Sequence, residues 1–257
     1  MKINTLIVAS LSAVLTNQAM AQSLWPIMET TSCSPFMTLS LGPTLTGGAE
    51  SESFYLQPDI AKTYKVNRKP YAFGSGELFL GMQIPIMPNF LSQVGIAVAG
   101  GLEAPLAGNI WEDEDPEFNN YTYKYKVNHA HIAVKAKIST DTNTIIQPYV
   151  SGSIGTGVNK SHSFTISPII FEEVPAPNFT AGRDSGMVYT AGLGIQSSYN
   201  ENWQVGIGYE FADWGNLQLG RAPGQTENQG LGSNHLYTHE LQLSITYVFV
   251  NRATRDG

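Results

Sequence analysis

The sequence predicts an all-β protein, an eight-stranded antiparallel transmembrane β-barrel with short periplasmic turns and four long extracellular loops. Three observations carry this expectation. Eight segments alternate apolar with small or polar residues at period two, the signature of strands whose two faces meet different media. The links between these segments alternate between short and long. Only 14% of the residues are charged, against about 25% for an ordinary soluble domain, so part of the surface has to face something other than water.

The strands follow in order. Met37, Leu39 and Leu41 alternate with Thr38, Ser40 and Gly42, and Leu78, Leu80 and Met82 with Glu77, Phe79, Gly81 and Gln83. Val94, Ile96 and Val98 stand against Gln93, Gly95, Ala97 and Ala99. In the fourth segment Ala130, Ile132, Val134, Ala136 and Ile138 oppose His129, His131, Ala133, Lys135 and Lys137. Its upper part, Tyr121 to Val127, is out of phase with this pattern, which predicts a bulge near Asn128. Val150, Gly152 and Ile154 alternate with Tyr149, Ser151, Ser153 and Gly155, then Ala191, Leu193 and Ile195 with Thr190, Gly192, Gly194 and Gln196. Pro148 fits because it stands near the start of its strand. The last two segments are the clearest: Trp203 to Phe211 sets Val205, Ile207 and Tyr209 against Gly206, Gly208 and Glu210, and Leu241 to Phe249 sets Leu243, Ile245 and Tyr247 against Ser244 and Thr246.

Residues 84–92, 139–145 and 198–202 are short links rich in Pro, Asn and Asp, whereas 43–72, 101–120, 160–187 and 213–236 are long and polar. One end of the barrel is therefore tightly turned and the other carries the long loops, the asymmetry of outer-membrane barrels. A soluble sandwich or lipocalin-type barrel would also show eight alternating strands. The direction of polarity separates the two. A soluble barrel turns its large apolar residues inward, but here the set opposite Val, Ile and Leu is mostly Gly, Ala, Ser, Thr and Gln, which suits a crowded narrow lumen.

At the N-terminus, Lys2 precedes an apolar run from Ile3 to Val14 that closes on Ala19-Met20-Ala21. This is the pattern of a cleaved export signal, too short for a membrane anchor. The predicted organisation is a signal peptide at 1–21, a leader at 22–35, the barrel at 36–249 and a short tail at 250–257, with localisation in the cell outer membrane. Without Lys2 the chain has 13 basic against 21 acidic side chains, a net charge of −8, which argues against nucleic acid as a partner. Cys33, the single cysteine, cannot form an intramolecular disulfide.

Several stretches carry a family likeness. The run Gln147-Pro148-Tyr149-Val150-Ser151-Gly152-Ser153-Ile154-Gly155, the run Ala191-Gly192-Leu193-Gly194-Ile195, and Gly208-Tyr209-Glu210-Phe211 before a long loop resemble the OmpA-like outer-membrane β-barrel domain family, over about Phe36 to Phe249. Leu243 to Phe249 looks like the terminal strand read by the barrel assembly machinery, with Tyr247 and Phe249 as its aromatic positions; here Val250 to Gly257 follow it. The resemblance implies a fold and an address, while members range over structural, adhesive and channel roles.

For chemistry, the five histidines, His129, His131, His162, His235 and His239, are weighed as catalytic candidates. A barrel-type lipid deacylase would show a His-x-Ser pair and a surface protease an Asp and His pair near the loops, but His162-Ser163 are adjacent in a predicted loop and His239-Glu240 has no Ser two positions on. No metal-ligand spacing, phosphate loop or nucleophile elbow is present, so no catalytic residue, metal or cofactor is assigned. Strand parity sends Glu77, Lys135, Lys137, Glu210 and Glu240 into one lumen, where they should form a polar network, because a lone buried charge costs several kcal/mol. Tyr121, Tyr123, Tyr125, Trp203, Tyr209 and Trp214, with Tyr247 and Phe249, read as interfacial aromatic residues. The acidic run Trp111 to Glu117 reads as a solvated loop, with a weaker reading as a site for divalent cations or a basic partner.

The expected function is non-enzymatic: an integral barrel with a structural or adhesin-like role carried by its loops, in contact with outer-membrane lipids, lipopolysaccharide, the assembly machinery and a host or surface partner. A narrow channel for small or hydrophobic solutes is the alternative, and a lipid-modifying enzyme the remote one.

Overall fold

The computed structural model describes residues 33–58, 60–67, 69–140, 145–170 and 178–250. The expected signal peptide, the leader up to residue 32 and the tail beyond Val250 lie outside them. The strands are β1 (Ser34–Ala49), β2 (Glu52–Gln57), β3 (Ile60–Val66), β4 (Ala72–Met87), β5 (Phe90–Glu112), β6 (Asn119–Thr140), β7 (Gln147–Pro168), β8 (Gly182–Ser198), β9 (Trp203–Asp213), β10 (Leu217–Gln218), β11 (Gly232–Ser233) and β12 (Leu236–Val248).

Eight of these close a ring of antiparallel neighbours in the order β1, β4, β5, β6, β7, β8, β9, β12. Pairing of β1 with β12, from Phe36↔Val248 to Ala49↔Leu236, shuts it. Closure leaves the barrel wall without a free edge. All eight predicted alternating segments are in these strands, save Phe249 just beyond the end of β12, and all pairing is antiparallel.

The alternation is directed as the sequence implies. Leu39, Leu80, Ile96, Val134, Ile154, Leu193, Ile207 and Leu243 stand on the outside of the wall, exposed. Thr38, Ser40, Gln93, Ser153, Thr190, Gln204 and Thr246 are buried on the inside. A wall with its apolar residues out and its polar residues in is inverted relative to a soluble barrel.

The long links are more ordered than predicted. β5 runs on to Glu112 and β6 begins at Asn119, so only residues 113–118 turn between them, around a short 3-10 turn capped by Asp115. β7 extends to Pro168, which places His162-Ser163 in a strand and not in a loop. Within 43–72, β1 continues to Ala49, and β2 and β3 form a hairpin that pairs with the upper part of β5 from Lys62↔Glu112 to Val66↔Gly108. The barrel thus rises beyond its apolar belt as a β-sheet extension. Polar sequence misled here because strands above the belt show water on their outer face.

The expected bulge near Asn128 falls on the partner strand. Gly101 pairs with His129 and Ala104 with Val127, so Leu102 and Glu103 together oppose Asn128. β6 itself keeps one parity, with Tyr121, Tyr123, Tyr125, Val127, His129, His131, Ala133, Lys135 and Lys137 all buried on the inside.

Candidate functional site: a filled lumen under an aromatic cap

Lys135, near the middle of β6, reaches across the lumen. Its Nζ lies 2.6 and 2.9 Å from the two carboxylate oxygens of Glu77 on β4, and 2.7 Å from Oε2 of Glu210 on β9. All three residues are buried. The arrangement answers a problem set by the strand pairing, because Glu210 lies directly opposite Glu240, and facing carboxylates repel. Lys135 satisfies Glu210 and Glu77 at once with charge-assisted hydrogen bonds. Lys137, two residues along the same face, places its Nζ 4.4 Å from the ring centroid of Tyr149, a cation–π contact.

Glycines make room for that tyrosine. An added Cβ at Gly208 would meet the Tyr149 hydroxyl oxygen at 2.1 Å, and one at Gly194 would meet it at 2.6 Å. The small inward residues of β8 and β9 are thus the seat of a ring from β7.

Glu240 stands apart from the ion pairs. It lines a lumen cavity of about 20 Å³ with Glu77, His129, His131, Glu210 and Trp214, room for about one water. Among the described residues, two buried polar atoms there have no hydrogen-bond partner, Glu240 Oε1 and His131 Nε2.

Above this cavity the lumen is closed by hydrogen bonds and rings. His129 shares hydrogen bonds with Asn159 Oδ1 at 2.7 Å and with His131 Nδ1 at 2.9 Å. Its ring stacks on Trp214, with centroids 4.1 Å apart. The Asn159 amide donates to the carbonyls of Trp214 and Asn216 at 2.8 and 2.7 Å, which ties the β9–β12 loop across the barrel mouth. Beyond lies an apolar core: Tyr64 from β3, Ile110 from β5, Tyr123 and Tyr125 from β6, Phe164 from β7, and Leu217, Leu219 and Leu231 from the loop. Tyr64 and Tyr123 meet edge to face at 5.7 Å, and Tyr123 stacks on Phe164 at 5.7 Å. Burial holds both of their hydroxyls well above the usual phenol range.

Four aromatic assignments are corrected by this core. Tyr121 and Tyr123, with Tyr125, are buried inside the extension, and Trp214 is buried beneath the loop; none is interfacial. Above the belt the outer face meets water, so apolar side chains turn inward while the strand parity stays unchanged. Trp203 and Tyr209 do stand outside, about 45% and 41% exposed. Tyr247 packs edge to face on Trp203 at 4.9 Å and on Phe249 at 4.8 Å at the tightly turned end.

The remaining histidines are on the outer face. His162 lies beside Asn128 Oδ1 at 2.6 Å, and His239 Nδ1 lies 2.6 Å from the Tyr209 hydroxyl. His235 pairs with the buried Asp213 at 2.6 Å. Sequence reasoning missed the Asp213–His235 contact because a long loop separates the two, and their meeting depends on the β9–β12 register. In the acidic run, Glu112 is held by Lys62 at 2.7 Å, and Asp115 accepts from the Glu117 amide. Among the described residues, no three His, Cys, Asp or Glu side chains converge as metal ligands would.

No protein-family model and no curated protein matches the chain. Among solved structures it is similar to the outer membrane protease OmpT from Escherichia coli, with 9% identity over 84% of this chain and 97% of that one and a TM-score of 0.48. It is also similar to the outer membrane protein OprG from Pseudomonas aeruginosa, with 11% identity, 85% and 97% coverage and a TM-score of 0.42. A third is Neisserial surface protein A, with 11% identity, 83% and 96% coverage and a TM-score of 0.39.

Proposed function

We propose that the chain is a non-enzymatic integral barrel of the bacterial outer membrane whose lumen is plugged and whose β-sheet extension presents a rigid surface outside the cell. The belt supports the membrane part. On β7 the outward positions from Pro148 to Val158 span ten residue steps, about 34 Å along the strand and about 26 Å once tilted by roughly 40°, close to the ~25 Å apolar band of such barrels. Trp203, Tyr247 and Phe249 would mark one interface, and Tyr209 the other. Tyr247 and Phe249 also stand where the assembly machinery would read the last strand.

The observation that carries the plugged reading is the Lys135 bridge between Glu77 and Glu210 beneath the His129–Trp214 stack. An eight-stranded barrel has an interior only just wide enough for its side chains, and here charged and aromatic groups from opposite walls fill it. Contact with partners then falls to the extension and its loops, as in a structural or adhesin-like protein. Planar-bilayer recording on the refolded protein tests this. A flat current trace is expected, and sustained single-channel openings would make it a channel. Lipid A mass analysis with and without expression tests the enzymatic reading, and no change in lipid A is expected.

A further inference from the structure

The outer wall is chemically uneven just above the apolar belt. On β6, β7 and β8 the outward rows read Ile132, Thr156 and Met187, then Ala130, Val158 and Ser185, then Asn128, Lys160 and Arg183. Lys160 and Arg183 are directly opposite each other on adjacent strands, and both are exposed. Like charges so placed weaken a sheet. Among the described residues neither joins an ion pair. The nearby carboxylate is already used, since Glu103 bonds Lys126 and has His162 Nε2 3.8 Å from its other oxygen. Lys124 continues the outward row above Lys126. The upper rim of β9 and β12 carries instead Tyr209, Phe211, Tyr237 and His239 in mutual ring contact.

We propose that Lys160 and Arg183 form a binding site for the phosphate-bearing headgroup of a lipid lying against the belt, an inference that rests on the membrane reading above. A phosphate between the two turns a repulsive pair into a bridged one. Side chains opposite each other start from Cβ atoms about 5 Å apart, close enough for a guanidinium fork and an ammonium to share one anion. The site is continuous with the belt. A lipid whose acyl chains lie on Ile132, Val158 and Met187 therefore delivers its headgroup at a high effective concentration, whereas a free phosphate must compete with water and salt for two exposed cations.

The test uses the refolded full chain in a zwitterionic detergent, with native mass spectrometry as the readout and bisphosphorylated lipid A, its dephosphorylated form, phosphatidylcholine and inorganic phosphate as probes. Lipid A should be retained in preference to its dephosphorylated form. The Lys160→Gln/Arg183→Gln variant should lower its affinity by roughly 30-fold, while Lys69→Gln should leave it unchanged. Without lipid A the double variant should unfold at a urea concentration no lower than the parent, because repulsion has been removed, and only the parent should be stabilised by adding lipid A. Equal retention of the two lipid A forms, an unaltered affinity in the double variant, or equally strong capture of inorganic phosphate would overturn the site. Failure to retain any acyl lipid, phosphatidylcholine included, would overturn the membrane reading and the site with it.

Discussion

His129 lies flat on Trp214, ring centroids 4.1 Å apart and planes 5° from parallel, and this contact marks where the polar lumen ends and the aromatic cap begins. Trp214 is also held through its carbonyl by Asn159, so one residue joins the loop to two strands. Trp214→Ala should cost about 3–5 kcal/mol, the usual range for emptying a buried tryptophan site. Urea titration of the refolded barrel measures this, and proteolysis of the 213–236 loop should quicken before the wall unfolds.

The Lys135 bridge should respond asymmetrically to mutation. Lys135→Met leaves Glu77 and Glu210 buried without a cation and should cost about 3–5 kcal/mol, whereas Lys135→Met combined with Glu77→Gln and Glu210→Gln should cost much less. Unfolding of the refolded variants in urea gives both numbers. A stabilised Lys135→Met single variant would mean that the residue faces lipid.

Gly208 has a packing role that a partner change should reveal. An added Cβ there would sit 2.1 Å from the Tyr149 hydroxyl oxygen, and overpacking of this kind costs about 1–3 kcal/mol. Gly208→Ala should therefore destabilise the barrel in urea titration, and adding Tyr149→Phe should recover a good part of the loss. Tyr149→Phe alone should be mild, because the Lys137 contact is made with the ring face.

The strand alternation was legible in the sequence over the whole belt, as Glu77, Lys135 and Glu210 illustrate: parity alone sends them inward, and they meet there. What parity does not disclose is which medium each face meets. In β6 the apolar set moves from Ile132 and Val134 to Tyr123 and Tyr125, which looks like a slip of one residue. The strand keeps its parity, and the water and apolar sides exchange instead as it leaves the belt. The actual slip, at Leu102 and Glu103, was hidden because it required the pairing of β5 with β6. The Asp213–His235 contact and the seat of Tyr149 on Gly194 and Gly208 were illegible for the same reason, since each depends on register between strands.

The outer face should be as intolerant of charge as the lumen is dependent on it. Val134 is exposed on the wall, level with Lys135 but on the opposite side. Val134→Arg should cost about 2–4 kcal/mol in lipid vesicles if it lies near the bilayer midplane, and Asn128→Arg near the rim only about 0–1 kcal/mol. Comparing the two urea midpoints gives a depth profile.

The inverted wall is tested most directly by lipid quenching along β6. Cys33 is the single cysteine, so a Cys33→Ser background accepts one probe at a time at Ile132, Ala133, Val134, Lys135 and Ala136, each changed to Cys and labelled with a polarity-sensitive fluorophore. In vesicles containing brominated lipid, the probes at 132, 134 and 136 should be strongly quenched and those at 133 and 135 spared. Quenching with the opposite phase, or none at any position, would contradict a membrane barrel with its lumen filled by Lys135, Glu77 and Glu210.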